Sequence, residues 1–258
     1  MNKILIIPSL NGFLKEAENI ISDHLPDLTI FMGDYFSNRT DITNSDIVTD
    51  WFNINKSKPN RIYLIGDRDI SFLFPSNRII SGNTFGEITK DYIYKHLKQE
   101  VLDKFKVFYY DAGSNTIFSH AGVNSKIFYA KDGKNFIESL SLHEKAAIEG
   151  AKSNAGNYPV WWEDTRANGR QVKKQGGFVG QSWDTLKPLR GYNQVVSSGV
   201  LQNPEAKFSP STEEPRNLTI NINAPVKFAY GLIENNKIKT YVFNSIRCSH
   251  NLYQSYFL

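Results

Sequence analysis

Ile62-Tyr63-Leu64-Ile65-Gly66-Asp67-Arg68-Asp69 passes from an apolar run straight into a glycine and three charged residues. A short apolar stretch bounded by turn residues reads as a buried strand, and here the charge begins where the strand stops. The same event recurs at Ile7-Pro8-Ser9-Leu10-Asn11-Gly12, Met32-Gly33-Asp34, Phe118-Ser119-His120-Ala121-Gly122 and Val196-Ser197-Ser198-Gly199. In open α/β sheets the loops beyond the strand C-termini converge on one crevice, so residues far apart in sequence can surround a single ligand.

Between these strand ends the chain alternates. The pattern predicts a strand over 3–7, a helix over 14–24, a strand over 28–32, a helix over 45–52 and a strand over 62–65. The longest helix is expected over 87–105, where Ile93, Leu97, Val101 and Phe105 recur at i, i+4 spacing. Stretches 106–110 and 116–119 flank Asp111-Ala112-Gly113-Ser114-Asn115, which has the chemistry of a hairpin turn. An amphipathic helix follows over 136–152, and 157–191 is rich in Trp, Gly and charge without clear periodicity. Segment 124–190 therefore reads as an excursion over the sheet edge within a single domain spanning 1–258. Strands return over 218–222, 226–232 and 238–243, the last two joined through Glu234-Asn235-Asn236-Lys237.

Composition bounds the function. With 258 residues and 40% hydrophobic content the chain can bury a substantial core. No apolar run reaches the roughly 18 to 20 residues that span a bilayer, and the apolar stretch after Met1 is too short for an export signal. A cytoplasmic protein without membrane attachment is expected. The single cysteine, Cys248, excludes an internal disulfide and any multi-thiolate metal site. A net charge of +4 is mild and does not by itself indicate nucleic acid. Arg166-Ala167-Asn168-Gly169-Arg170-Gln171-Val172-Lys173-Lys174 is a basic loop that an anionic partner could meet, although a solvated loop is the better account of it.

The order and identity of the turns carry more than their spacing. The chain resembles the calcineurin-like metallophosphoesterases, particularly the branch of serine/threonine protein phosphatases and diadenosine tetraphosphatases. That family runs Asp-x-His-Gly, Gly-Asp-x-x-Asp-Arg-Gly, Gly-Asn-His-Asp/Glu, His-Ala-Gly and Gly-His-Thr, and traces of all five stand here in order. Phe118-Ser119-His120-Ala121-Gly122-Val123 is the most specific match. Trp161-Trp162-Glu163-Asp164-Thr165-Arg166 is similar to the family's Trp-containing segment, and Leu218 to Asn223 with Tyr230-Gly231-Leu232 to its closing strands. The resemblance implies a four-layer α-β-β-α sandwich with mixed sheets and a helical and loop excursion.

Residue by residue, the resemblance implies a degenerate metal site. Ser9 and Asn11 stand at the aspartate and histidine of the first motif, and Ser198 at the histidine of the last. Asp34, Asp67 and His120 remain as vestigial ligands for one divalent ion (Mn, Fe, Zn or Mg) or none. Arg68 replaces the general-acid histidine, and a guanidinium with a pKa above about 12 cannot donate a proton near neutrality. Arg39 and Arg166 are the candidates for gripping phosphate, although Arg166 could instead pair with Asp164 or Glu163. Arg68 is expected to lie as a fixed cation between Asp67 and Asp69 and near Asp34.

Two readings stay open. In one, the fold is retained as a pseudoenzyme, a protein-binding, regulatory or structural module whose partners the sequence does not name. In the other, it is a reduced hydrolase acting on phosphorylated substrates through a single metal. Two-metal catalysis needs ions roughly 3.5 to 4 Å apart, so the lost ligands favour the first.

Overall fold

The computed structural model describes residues 3–36, 42–74, 87–97, 99–124, 135–152, 163–167, 170–174, 177–180, 182–199, 201–210, 217–224, 228–244 and 249–258. In chain order its elements are β1 (Ile4–Ile7), α1 (Leu14–His24), β2 (Leu28–Phe31), α2 (Ile42–Asn55), β3 (Arg61–Leu64), α3 (Ile70–Leu73), α4 (Glu87–His96), α5 (Gln99–Leu102) and β4 (Phe105–Lys106). There follow β5 (Phe108–Asp111), β6 (Thr116–Ser119), α6 (Phe136–Lys152), β7 (Glu163–Ala167), β8 (Arg170–Lys174), α7 (Gly177–Gly180), β9 (Asn193–Val196) and β10 (Glu205–Phe208). The chain closes with β11 (Leu218–Asn221), β12 (Ala229–Glu234), β13 (Lys237–Asn244) and β14 (Ser249–Phe257).

Period-two alternation explains how the layers stack. In β1, Ile4 and Ile6 join Ile30, Leu64, Phe118, Val195, Leu218 and Ile220 in one apolar cluster, while Leu5 and Ile7 join Leu14, Ala17 and Ile20 of α1 in another. Since the first cluster draws on strands of both large sheets, it is the seam between them. The second lies under the helices. Each such aliphatic side chain contributes about 1.5 to 3 kcal/mol on leaving water, so a strand apolar on both faces belongs between layers.

The seven-stranded sheet has the order β14-β13-β12-β1-β2-β3-β4, with β1 to β4 parallel and β12 antiparallel to β1. The five-stranded sheet runs β10-β11-β9-β6-β5, with β6, β9 and β11 parallel. Both sheets are mixed, and helices cover them in a four-layer α-β-β-α arrangement. In the second sheet Ile117, pointing away from the seam, shares its cluster with Leu140 and Ala147 of α6.

The sequence expectation of one helix over 87–105 is corrected. The helix ends at His96, α5 is a separate turn, and Phe105 lies in β4 beside β3. Ile93, Leu97, Val101 and Phe105 are all buried in the same cluster, so the i, i+4 spacing marked burial and not backbone continuity. The basic stretch within 166–174 is part of a two-stranded ladder, with Glu163 opposite Lys174 and Asp164 opposite Lys173. The expected β12–β13 hairpin turns at Asn235 and Asn236, both at positive φ, as the tight hairpin turn requires. Trp161, Trp162, Arg39 and Cys248 lie outside the described residues. No helix among the described residues is long and apolar enough to cross a membrane.

Candidate metal and phosphate site

Parallel strands deliver their C-terminal turns to one end of the sandwich. Beyond β1, the N–H groups of Leu10, Asn11 and Gly12 donate to the carbonyls of Gly33 at 3.2 Å, Asp34 at 2.7 Å and Tyr35 at 3.0 Å, lacing the first turn to the second. The second turn presses directly on the third. A Cβ on Gly33, which has φ +98°, would lie 2.5 Å from the Gly66 nitrogen, and one on Gly66 would lie 2.3 Å from Asp34 Oδ1. Only glycine permits this approach of β2 to β3. From the second sheet, the Ser197 N–H donates to the His120 carbonyl at 2.8 Å, joining the ends of β6 and β9.

These turns gather Asp34, Asp67 and His120, whose ligand atoms lie within 4.8 Å of one another, the one such group among the described residues. His120 Nε2 is 3.8 Å from Asp34 Oδ2 and 3.6 Å from Asp67 Oδ1. Its other ring nitrogen, Nδ1, is 2.8 Å from the Met32 carbonyl, which can only accept. Nδ1 therefore carries a hydrogen, and in the neutral ring Nε2 turns a lone pair toward both carboxylates. That donor set suits a divalent cation, with a carbonyl fixing the imidazole from behind. Asp34 itself sits at φ +53°, a sparsely populated conformation for a residue with a side chain and one that recurs at functional sites.

The electrostatics show what the cluster lacks. Burial pushes the Asp34 carboxyl up, and the Asp67 and Asp69 charges add to that against the pull of His120 and Arg68. For His120, burial works against the charged ring, yet Asp34 and Asp67 outweigh it and hold the imidazole up at about 9. Asp67 shifts the other way: desolvation opposes ionisation, but the His120 hydrogen bond and charge keep it below the usual carboxylate range. Two carboxylates, Asp34 buried and Asp67 half-exposed, thus hold a proton on one imidazole where a cation would sit.

Arg68 lies near Asp34, as expected, while Asp69 is held by other partners. Its guanidinium donates to Asn11 Oδ1, and Nε lies 3.7 Å from Asp34 Oδ2. Its backbone N–H reaches Asp34 Oδ1 at 3.2 Å. Asp69, fully buried immediately before α3, turns inward and accepts backbone N–H groups from Asp34 and Gly66, both at 2.8 Å, and from Tyr35 at 3.2 Å. Those three donors supply what Arg68 was expected to provide. Asp69 is the site residue whose role the sequence reading missed, although the acid ending the third motif was a signal for it.

The first-motif positions are occupied with other partners. The Ser9 N–H donates to Ser197 Oγ at 2.7 Å, and the two hydroxyls are 3.1 Å apart. Asn11 gives its amide oxygen to Arg68 and donates through Nδ2 to the Ser9 carbonyl at 3.2 Å. Ser197, and not Ser198, is thus the last-motif residue that faces Ser9; the Ser198 carbonyl accepts from Asn221 at 2.6 Å. Of Ser9, Asn11, Asp34 and Ser198, Asp34 alone carries a carboxylate. Arg166 lies in β7, with its side chain outside the described residues, as Arg39 is entirely.

No family model matches the chain, and no curated protein matches it. Among solved structures it is similar to a metallophosphoesterase from Sphaerobacter thermophilus, with 13% identity, a TM-score of 0.43, and coverage of 90% of this chain and 84% of that one.

Proposed function

We propose that the chain is a degenerate calcineurin-like phosphoesterase that holds one divalent cation on Asp34, Asp67 and His120 and acts by binding, not by turnover. The observation that carries this reading is the contact of Arg68 with Asn11 and Asp34, which places a permanent cation on the residues of the missing second pocket. Two consequences follow for chemistry. A two-metal clamp, which activates a bridging water and grips both reacting oxygens, has only half its ligands. The leaving group would also meet a guanidinium, which stabilises negative charge but cannot protonate it. When bound, the cation would supply Lewis acidity to a phosphate oxygen and would take the place of the proton that His120 Nε2 otherwise holds; the protein's own cationic group orients the anion.

Hydrolysis of an aryl phosphate and an aryl phosphodiester, measured with and without Mn²⁺, tests the reading. No metal-stimulated turnover is expected. Turnover that needs Mn²⁺ and disappears in Asp34→Ala and His120→Ala would replace it with the single-metal hydrolase reading, in which Asp34, Asp67 and His120 hold the metal and Arg39 or Arg166 grips the substrate phosphate.

A further inference from the structure

We propose that Arg68 is a built-in second cation, and that with one divalent ion on Asp34, Asp67 and His120 it forms a mixed arginine and metal receptor for a phosphate monoester dianion. The inference rests on the single-cation reading and adds the ligand class and the residue that selects it. Asp34 is the pivot. Its Oδ2 lies 3.8 Å from His120 Nε2 on one side and 3.7 Å from Arg68 Nε on the other, so one carboxylate oxygen serves two positive positions at once.

The approach is graded by exposure. The Asp34 and His120 side chains are 7% and 4% exposed, whereas those of Arg68 and Asp67 are 21% and 41% exposed. The guanidinium is thus open to an anion in solution where the buried pair is not, and it stands with the half-exposed Asp67 at the mouth of the crevice. Asn11 accepts from one terminal nitrogen, and the Arg68 backbone is tied to Asp34, so the side chain is held from both ends. A guanidinium stays charged at every working pH and presents a planar fork that matches two phosphate oxygens. Ser9 cannot rebuild the displaced pocket, because its hydroxyl is already engaged with Ser197.

A charged arginine in this place has effects of opposite sign on the two ligands. It repels a divalent cation that shares Asp34 and attracts the phosphate. A merely structural arginine would, on removal, weaken both. The full-length protein, with Arg68→Gln and Arg68→Lys, is titrated with Mn²⁺ by the EPR signal of the free ion, and the Mn²⁺-loaded forms with inorganic phosphate by calorimetry. The wild type should bind one Mn²⁺. Arg68→Gln should bind Mn²⁺ about tenfold more tightly and phosphate about tenfold more weakly, as loss of one nearby charge predicts. Arg68→Lys, which keeps the charge and loses the fork, should hold Mn²⁺ affinity within about twofold while phosphate weakens. Two Mn²⁺ per wild-type chain, or both ligands weakened together in Arg68→Gln, would overturn the role of Arg68 and leave the metal centre standing. Absence of Mn²⁺ binding in every form would overturn the single-cation reading and this inference with it.

Discussion

The Asp69 carboxylate accepts the backbone N–H of Asp34 at 2.8 Å, so the residue that offers its side chain to a cation is itself held from behind by a second acid. The same carboxylate holds Gly66 and Tyr35, pinning the ends of β2 and β3 together. Asp69→Asn should therefore cost about 3 kcal/mol, because an amide offers one acceptor oxygen and turns an NH₂ toward a buried donor. Asp67→Asn, at the open mouth of the crevice, should cost less than about 1 kcal/mol while weakening cation binding. Urea denaturation of the two variants checks this, and equal losses would show that Asp69 has no special role.

Gly33 gives a second stability prediction. Its φ of +98° is disfavoured for any residue with a Cβ, and that atom would meet the Gly66 backbone at 2.5 Å and His120 Nδ1 at 3.1 Å. Backbone cannot swing aside as a side chain does, so Gly33→Ala should cost about 3 kcal/mol or more by separating β2 from β3. Gly191 also has positive φ, +83°, but open space around it, and Gly191→Ala should cost only about 1 kcal/mol. The difference between their unfolding midpoints isolates the steric term.

These tight approaches mark where sequence patterns inform and where they stop. Leu14 to His24 and 136–152 were legible as helices because their apolar stripes and limits are local. Asp34, Asp67 and His120 were legible as a group because motif order stands in for spatial proximity. β14 was not, since most of its side chains are exposed and nothing in Ser249 to Phe257 alternates; its conformation comes from pairing with β13. The direction of Arg68 was equally hidden. It depends on Asp69 finding three backbone donors, which become available only once β2 and β3 are in register.

Arg61 and Glu18 fasten α1 to β3 across the outer face of the sheet. Two guanidinium nitrogens donate to the two carboxylate oxygens at 2.6 and 2.7 Å, and Trp51 Nε1 adds a third bond at 2.7 Å. Burial opposes ionisation of Glu18, but Arg61, Trp51 and Lys58 outweigh it and hold the carboxyl below its ordinary value. The Arg61 side chain is only 3% exposed, so Glu18→Leu should strand a buried cation and cost about 3 kcal/mol. Adding Arg61→Leu should restore part of that loss, with a coupling of about 2 kcal/mol in a double-mutant cycle. Additive losses would show that the pair contributes nothing as a pair.

A hydrogen-bonded relay ties α1 to the edge of the same sheet and should make stability depend on pH. His250 Nε2 is 2.9 Å from Asp23, Tyr230 Oη is 2.8 Å from His250 Nδ1, and His24 Nε2 is 2.7 Å from Tyr230 Oη. Asp23 accepts, so with neutral rings the donors run one way, from His24 through Tyr230 to His250 and from His250 to Asp23. Burial lowers the His24 pKa, and His250 and Lys3 lower it further against the opposing charges of Asp23 and Glu234. The unfolded chain then takes up a proton at pH values where folded His24 does not. The stability contribution is complete above the ordinary value of 6.5 and is lost as pH falls from there through the lower folded-state value. Urea midpoints at stepped pH between about 7.5 and 5 should fall for the wild type, and His24→Gln should flatten that part of the slope. Tyr230→Phe should lower the unfolding free energy at every pH, by about 1 kcal/mol, because it cuts the relay without removing its titrating ring. An unchanged slope in His24→Gln would assign the pH dependence to other groups.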